Sequence, residues 1–87
     1  MYKISFKPSF IKQTRRLEND LLQELLKRVE LLKDKSNHQF LKVHKLHGSL
    51  SDFYSFSITH SIRVIFKFDD KNEIVLLMIG SHSIYKR

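Results

Sequence analysis

The sequence predicts an α+β domain, ordered β-α(α)-βββ, with two N-terminal helices packed on a small, mostly antiparallel sheet. Three observations carry this expectation. Residues 1–7 alternate apolar and polar, residues 9–32 place leucine and valine at helical spacing, and residues 53–79 hold three β-rich runs separated by turns. A helical layer on one face of such a sheet leaves the other face partly open, and that is where a site is expected.

The elements follow in order. In Met1–Lys7, Tyr2, Ile4 and Phe6 lie on one side and Lys3, Ser5 and Lys7 on the other, the pattern of a half-buried strand. Pro8 has no N–H for a ladder and suits a first helical turn. A helical segment then runs from Ser9 to Leu32, with a break near Asn19. Leu22, Leu25, Leu26, Val29 and Leu32 form its apolar stripe, widened by Leu17, Leu21 and Leu31. Glu24 and Arg28 are spaced as an i,i+4 ion pair. Residues 38–52 fit neither periodicity, and Gly48 to Asp52 reads as loop. Phe53–Ile58 and Ile62–Phe68 alternate, with a turn over residues 69–73. Ile74–Ile79 is continuously apolar, as in a central strand buried on both faces. Gly80 is expected to break that strand and leave residues 81–87 as a short arm.

The chain of 87 residues is one domain, 1–87, and a domain of that size buries only about 60–65% of its unfolded surface. No cysteine is present, which excludes disulfides, thiolate nucleophiles and cysteine-held zinc. No apolar run reaches the length of a membrane span, and the alternating first residues do not form a signal-peptide core. A cytoplasmic protein with no membrane partner is expected. The formal net charge is +7. Lys/Arg outnumber acids eight to four in residues 1–33, three to two in 34–52 and five to three in 53–87. The excess is therefore built into the fold and not into a tail, and it favours an anionic partner.

Chemistry can live in few places. In Ile62–Phe68 the apolar set Ile62, Val64, Phe66 and Phe68 should face the helices. Arg63, Ile65 and Lys67 then face the open side, beside the small Ser55 and Ser57. An Arg in a concave face suits a phosphate. His44 and His47 flank Lys45 and precede Gly48, and with Lys42 they make a stretch rich in cation and imidazole. Free imidazole titrates near pH 6.5, so it serves as base or acid at neutral pH. His82 and Tyr85 lie just past the apolar strand, where a bend at Gly80 could aim His82 across the sheet. His38 and His60 read as exposed turn residues. Two histidines three apart, without further ligands, do not make a metal site, and no cofactor motif occurs. Arg, His, Tyr and Lys on a basic surface can still cleave RNA without metal. A base takes the 2′-OH proton, an acid protonates the leaving 5′-oxygen, and a cation stabilises the phosphorane. DNA lacks the 2′-OH, so this set points to RNA.

The stretch His44-Lys45-Leu46-His47-Gly48, the aromatic strand Phe53-Tyr54-Ser55-Phe56-Ser57-Ile58, Ile62-Arg63-Val64-Ile65-Phe66 and the closing Ile79-Gly80-Ser81-His82 resemble, in order and spacing, the RelE/ParE toxin superfamily of bacterial type II toxin–antitoxin systems. The H-x-L-x-G and Gly-Ser-His elements are most similar to its YafQ-like branch. The resemblance covers essentially the whole chain. It implies an mRNA interferase, commonly acting on the ribosome and held inactive by a cognate acidic antitoxin. It also implies that His44 and His82 are catalytic acid/base groups, that Arg63 stabilises the phosphate, and that Tyr85 stands near the C-terminal aromatic used for stacking or proton transfer. Lys42, Lys45, His47, Lys67, Lys86 and Arg87 would hold the RNA. YafQ-like members carry a His and an acid near the strand turn, where this chain has Ser57-Ile58-Thr59-His60-Ser61. Two alternatives stand beside this reading. One is a ParE-like, non-enzymatic toxin that inhibits DNA gyrase. The other is a non-toxic nucleic-acid-binding module with bases stacked on Tyr54 and Phe56.

Overall fold

A computed structural model of the chain describes residues 1–70 and 72–81. Strand β1 (Lys3–Phe6) leads into helix α1 (Pro8–Thr14), with Pro8 in the first turn as its missing N–H requires. Helix α2 (Asn19–Leu32) follows after a break at residues 15–18. Four strands complete the fold: β2 (His44–Lys45), β3 (Tyr54–Ser57), β4 (Ile62–Asp69) and β5 (Glu73–Ser81). They form one sheet in the order β1-β5-β4-β3-β2. Only β1 and β5 run parallel; the other neighbours are antiparallel.

The β1 ladder reaches only as far as Phe6 opposite Leu76, so the upper edge of β5 needs other partners. Helix α1 supplies one, as Gln13 Oε1 accepts from the Ile79 N–H at 3.0 Å. The C-terminal carbonyls of α2 are met in the same way. Asn37 Nδ2 donates to the Leu31 carbonyl, and His38 Nε2 lies 2.8 Å from the Leu32 carbonyl. His38 also stacks on Tyr2, so it is a half-buried part of the scaffold and not the exposed turn residue its sequence context suggests.

The core lies between α2 and the sheet. Leu25, Val29 and Leu32 meet Phe56, Val64, Phe66, Ile74, Leu76 and Ile79, with Phe10 from α1. Tyr54 and Phe56 belong to this layer, where Tyr54, Phe66 and Phe68 pack ring against ring. Phe56 is fully buried and Tyr54 half-buried, with its ring against Phe66 and Phe68. Leu26 departs from the expected stripe and is 51% exposed, at an apolar groove it lines with Ile11 and Thr14 of α1.

Three further expectations need correction. A fifth strand, β2, exists within the unassigned residues 38–52. Gly80 does not end its strand: β5 continues to Ser81 because β4 offers ladder partners as far as Ile62, and Gly80 stands opposite Arg63. The apolar run of β5 is not uniformly buried either. A bulge opposite Ile65 and Phe66 pairs Met78 with Ile65 but Leu76 with Phe66, and both Leu77 and Met78 are half-exposed.

The turn before β2 is anchored by Leu41, which is fully buried while its neighbour Phe40 is 66% exposed. The Leu41 carbonyl accepts from Ser57 N–H, tying the turn to the edge of β3. Leu41→Ala should destabilise the domain by about 2–5 kcal/mol, since a fully enclosed leucine leaves a cavity the turn cannot fill. Urea unfolding of the two proteins measures this directly.

Candidate functional site

The face of the sheet away from the helices carries His44, Ser55, Ser57, Arg63, Ile65 and Lys67. The pairings fix this arrangement: His44 stands opposite Ser55, Ser55 opposite Ile65, and Ser57 opposite Arg63. Strand spacing then puts the His44 and Arg63 Cα atoms about 12 Å apart, two strands over and two residues along. This face is less open than the sequence implies, because Ser55, Ser57, Ile65 and Val75 are all buried. Ser55 and Ser57 stand between the longer His44 and Arg63 side chains on this face.

His44 is exposed and its ring is oriented at both nitrogens. Nδ1 lies 2.9 Å from the Lys42 carbonyl and Nε2 lies 3.4 Å from Ser55 Oγ. A carbonyl can only accept, so Nδ1 carries the hydrogen, and Nε2 of the neutral ring keeps its lone pair. Lys42 reaches this position with φ 59°, a left-handed conformation uncommon for a side-chain-bearing residue. Gly48, at φ 67°, closes the same segment without that cost.

Arg63 is half-buried and donates from a guanidinium nitrogen to Ser57 Oγ. A second guanidinium reaches the same serine from the helical layer: Arg28 donates to the Ser57 carbonyl at 3.0 Å. Arg28 Nε also donates to Glu24 Oε2 at 2.7 Å, and the guanidinium carbon lies 5.6 Å from the centre of the Phe40 ring. The expected i,i+4 pair is therefore present and does more than brace the helix. Arg28, Phe40, Lys42, Ser57, Ile58, Thr59, His60 and Arg63 line a cleft of about 360 Å³. Among the described residues its walls carry three permanent cations and one imidazole, with no carboxylate.

The hydrogen bond from Arg28, reinforced by the charges of Arg28 and Lys27, outweighs desolvation and holds the Glu24 carboxyl below its ordinary value of 4.5. A lowered folded-state value means stability that is present above the ordinary carboxylate value and is lost as pH falls through the lower, folded-state one. Glu24→Gln should accordingly lose less stability on acidification than the parent. Urea midpoints for both proteins at neutral pH and in acid read this out.

Of the residues singled out in the sequence, His44, Arg63 and Lys67 share the sheet face away from the helices. Lys42 stands at the cleft, its carbonyl on His44. Lys45 alternates away from His44 and pairs with Tyr54, on the opposite face. His47 is exposed at the start of the 3-10 turn Gly48–Leu50. His82, Tyr85, Lys86 and Arg87 lie outside the described residues. Arg28, Phe40 and His60 are the cleft residues that sequence reasoning missed or set aside. Helical spacing showed only the Glu24 partner of Arg28. The period-free segment 38–52 gave no sign of which of Phe40 and Leu41 turns outward.

A family model described as a bacterial toxin of type II toxin–antitoxin system, YafQ, matches residues 2–86. The chain belongs to this family. Solved structures agree on the fold. The RelE–RelB complex of Pyrococcus horikoshii OT3 contains a chain with TM-score 0.75 at 19% identity, over 92% of this chain and 93% of that one. YafQ from Escherichia coli BL21(DE3) gives 0.67 at 18% identity, over 98% of both chains. The YoeB/ParE toxin of Agrobacterium tumefaciens gives 0.77 at 14% identity, over 92% and 98%. No curated protein matches by sequence. The chain is thus a type II toxin with a RelE-like fold, as its motifs implied. Among the toxin's described residues no helix is long and apolar enough to cross a membrane, and no cluster of three or more His, Cys, Asp or Glu is placed to hold a metal.

Proposed function

We propose that the toxin is a metal-free endoribonuclease that cleaves messenger RNA, associated with the ribosome, and so arrests translation in the cytoplasm. The observation that carries this is the ring of His44, held by the Lys42 carbonyl with Nε2 beside Ser55 on the same sheet face as Arg63. In this reading Nε2 takes the proton from a ribose 2′-OH. The 2′-oxygen then bonds to the adjacent phosphorus, the bond to the 5′-oxygen breaks, and an acid returns a proton to that leaving oxygen. His82 is the residue assigned to the acid and Tyr85 to stacking or proton transfer beside it, on the strength of the family resemblance. Arg63, held by Ser57, balances charge on the phosphorane in a site that is partly withdrawn from water. Lys67 extends the cationic face, while Lys86 and Arg87 are assigned to the RNA backbone.

The cognate antitoxin in this reading is an acidic protein that orders a segment against the basic surface and occludes it. The YoeB–YefM structure from Staphylococcus aureus is a toxin–antitoxin complex, which supports an antitoxin partner, and the net charge of +7 supports an acidic one. The test is to incubate the purified toxin with messenger RNA, with and without ribosomes. Cleavage that disappears in Arg63→Ala and His44→Ala supports the assignment. Intact RNA in both settings, with growth arrest and DNA-damage signalling that survive both substitutions, assigns the toxin to gyrase instead.

A further inference from the structure

The reaction above uses Arg63 and the sheet face that carries His44, but leaves the other half of the cleft without a task. There, Arg28 is held at two points, by Glu24 and by the Ser57 carbonyl. A guanidinium has five N–H donors, so three remain without a partner among the described residues. Beside it, Phe40 is 66% exposed, the most exposed aromatic side chain among the described residues, with Arg28 at one of its faces. Lys42 completes the rim, and no carboxylate among the described residues lines the cleft. The exposed ring stands at the edge of a cationic pocket, where a flat ring and a fixed fork of donors meet.

We infer that Arg28, Phe40 and Lys42 form a nucleotide subsite next to the reacting phosphate, with the base of a flanking RNA nucleotide on the free face of Phe40 and its phosphate on Arg28 and Lys42. The inference rests on the ribonuclease reading. Ser57 sets the spacing, because its hydroxyl holds Arg63 and its carbonyl holds Arg28. Two guanidinium groups anchored on one residue suit neighbouring phosphates of a single strand. The ligand that matches the cleft is single-stranded RNA, which brings both a negative phosphate and a π face; an acidic peptide brings the charge alone. Stacking on an aromatic ring tolerates any base, so the subsite contributes affinity and register more than sequence choice.

The experiment measures binding of fluorescein-labelled 2′-O-methyl RNA of mixed sequence, which cannot be cleaved by 2′-OH attack, to the full-length toxin by anisotropy. Phe40→Ala and Phe40→Leu should weaken binding roughly 5- to 150-fold, the value of one stacked base, whereas Phe40→Trp should restore it. Lys42→Gln should lower the salt-dependence slope by about 0.7, the loss of one single-strand phosphate contact. Phe40 and Lys42 are exposed, so these variants should unfold at the parent's urea midpoint. Equal affinity of the parent, Phe40→Ala and Phe40→Leu overturns the subsite while leaving the cleavage assay intact. A parent that neither binds nor cleaves RNA overturns the ribonuclease reading and the subsite together. Loss of oligoglutamate binding in Lys42→Gln, with RNA affinity unchanged in Phe40→Leu and Lys42→Gln, gives the cleft to an acidic protein segment and overturns the subsite alone.

Discussion

Arg63→Ala should lower the RNA-cleavage rate by about 10²–10³-fold, the effect of deleting one preorganised group that stabilises developing charge. The expectation follows from how the side chain is held. Arg63 lies on β4, flanked on its own strand by the apolar Ile62 and the buried Val64, so its backbone is fixed by the ladders to β3 and β5. Its guanidinium is tied to Ser57 Oγ, and Gly80 stands opposite it on β5. A planar fork can bind serine and a phosphate oxygen together, while an ammonium cannot reproduce both directions. Arg63→Lys should therefore recover only a small part of the lost rate. Multiple-turnover and single-turnover rates on one RNA substrate, with urea midpoints to confirm folding, measure both variants.

His44→Ala should be comparably severe, about 10²–10⁴-fold in rate, the range for removing a positioned acid or base. His44 is exposed on a two-residue edge strand, so the substitution should leave the fold nearly unchanged. Its effect should fall on the chemical step and not on RNA binding, because one neutral imidazole adds little electrostatic attraction. The pH–rate profile distinguishes this from a structural role. The parent should gain rate as an imidazole gives up its proton, and His44→Ala should lose that limb at every RNA concentration.

The sequence made some parts of this molecule legible and hid others, for physical reasons. Pro8 fixed the start of α1, and strict alternation in Ile62–Phe68 placed Arg63 on the face away from the helices, where the sheet pairing puts it. The pairing Glu24–Arg28 was visible because helical spacing is local. The strand β2 was not, because two residues carry no periodicity; its existence depends on β3 presenting an edge. The continuation of β5 through Gly80 depends likewise on the length of β4. Arg28 and Phe40 entered the cleft through tertiary packing of α2 and the Leu41 turn against the end of β3, which no local pattern encodes. The family motifs named His44 and Arg63, whereas Arg28 and Phe40 needed coordinates.

The most direct measurement of the central claim is the chemistry of the ends left on the RNA. Attack by a 2′-oxygen activated by His44 predicts a 2′,3′-cyclic phosphate on the upstream fragment and a free 5′-hydroxyl on the downstream one. A single 2′-deoxy substitution at the cleaved nucleotide should abolish the cut. Fragments with 5′-phosphate ends, or undiminished cleavage of the 2′-deoxy substrate, would contradict the account.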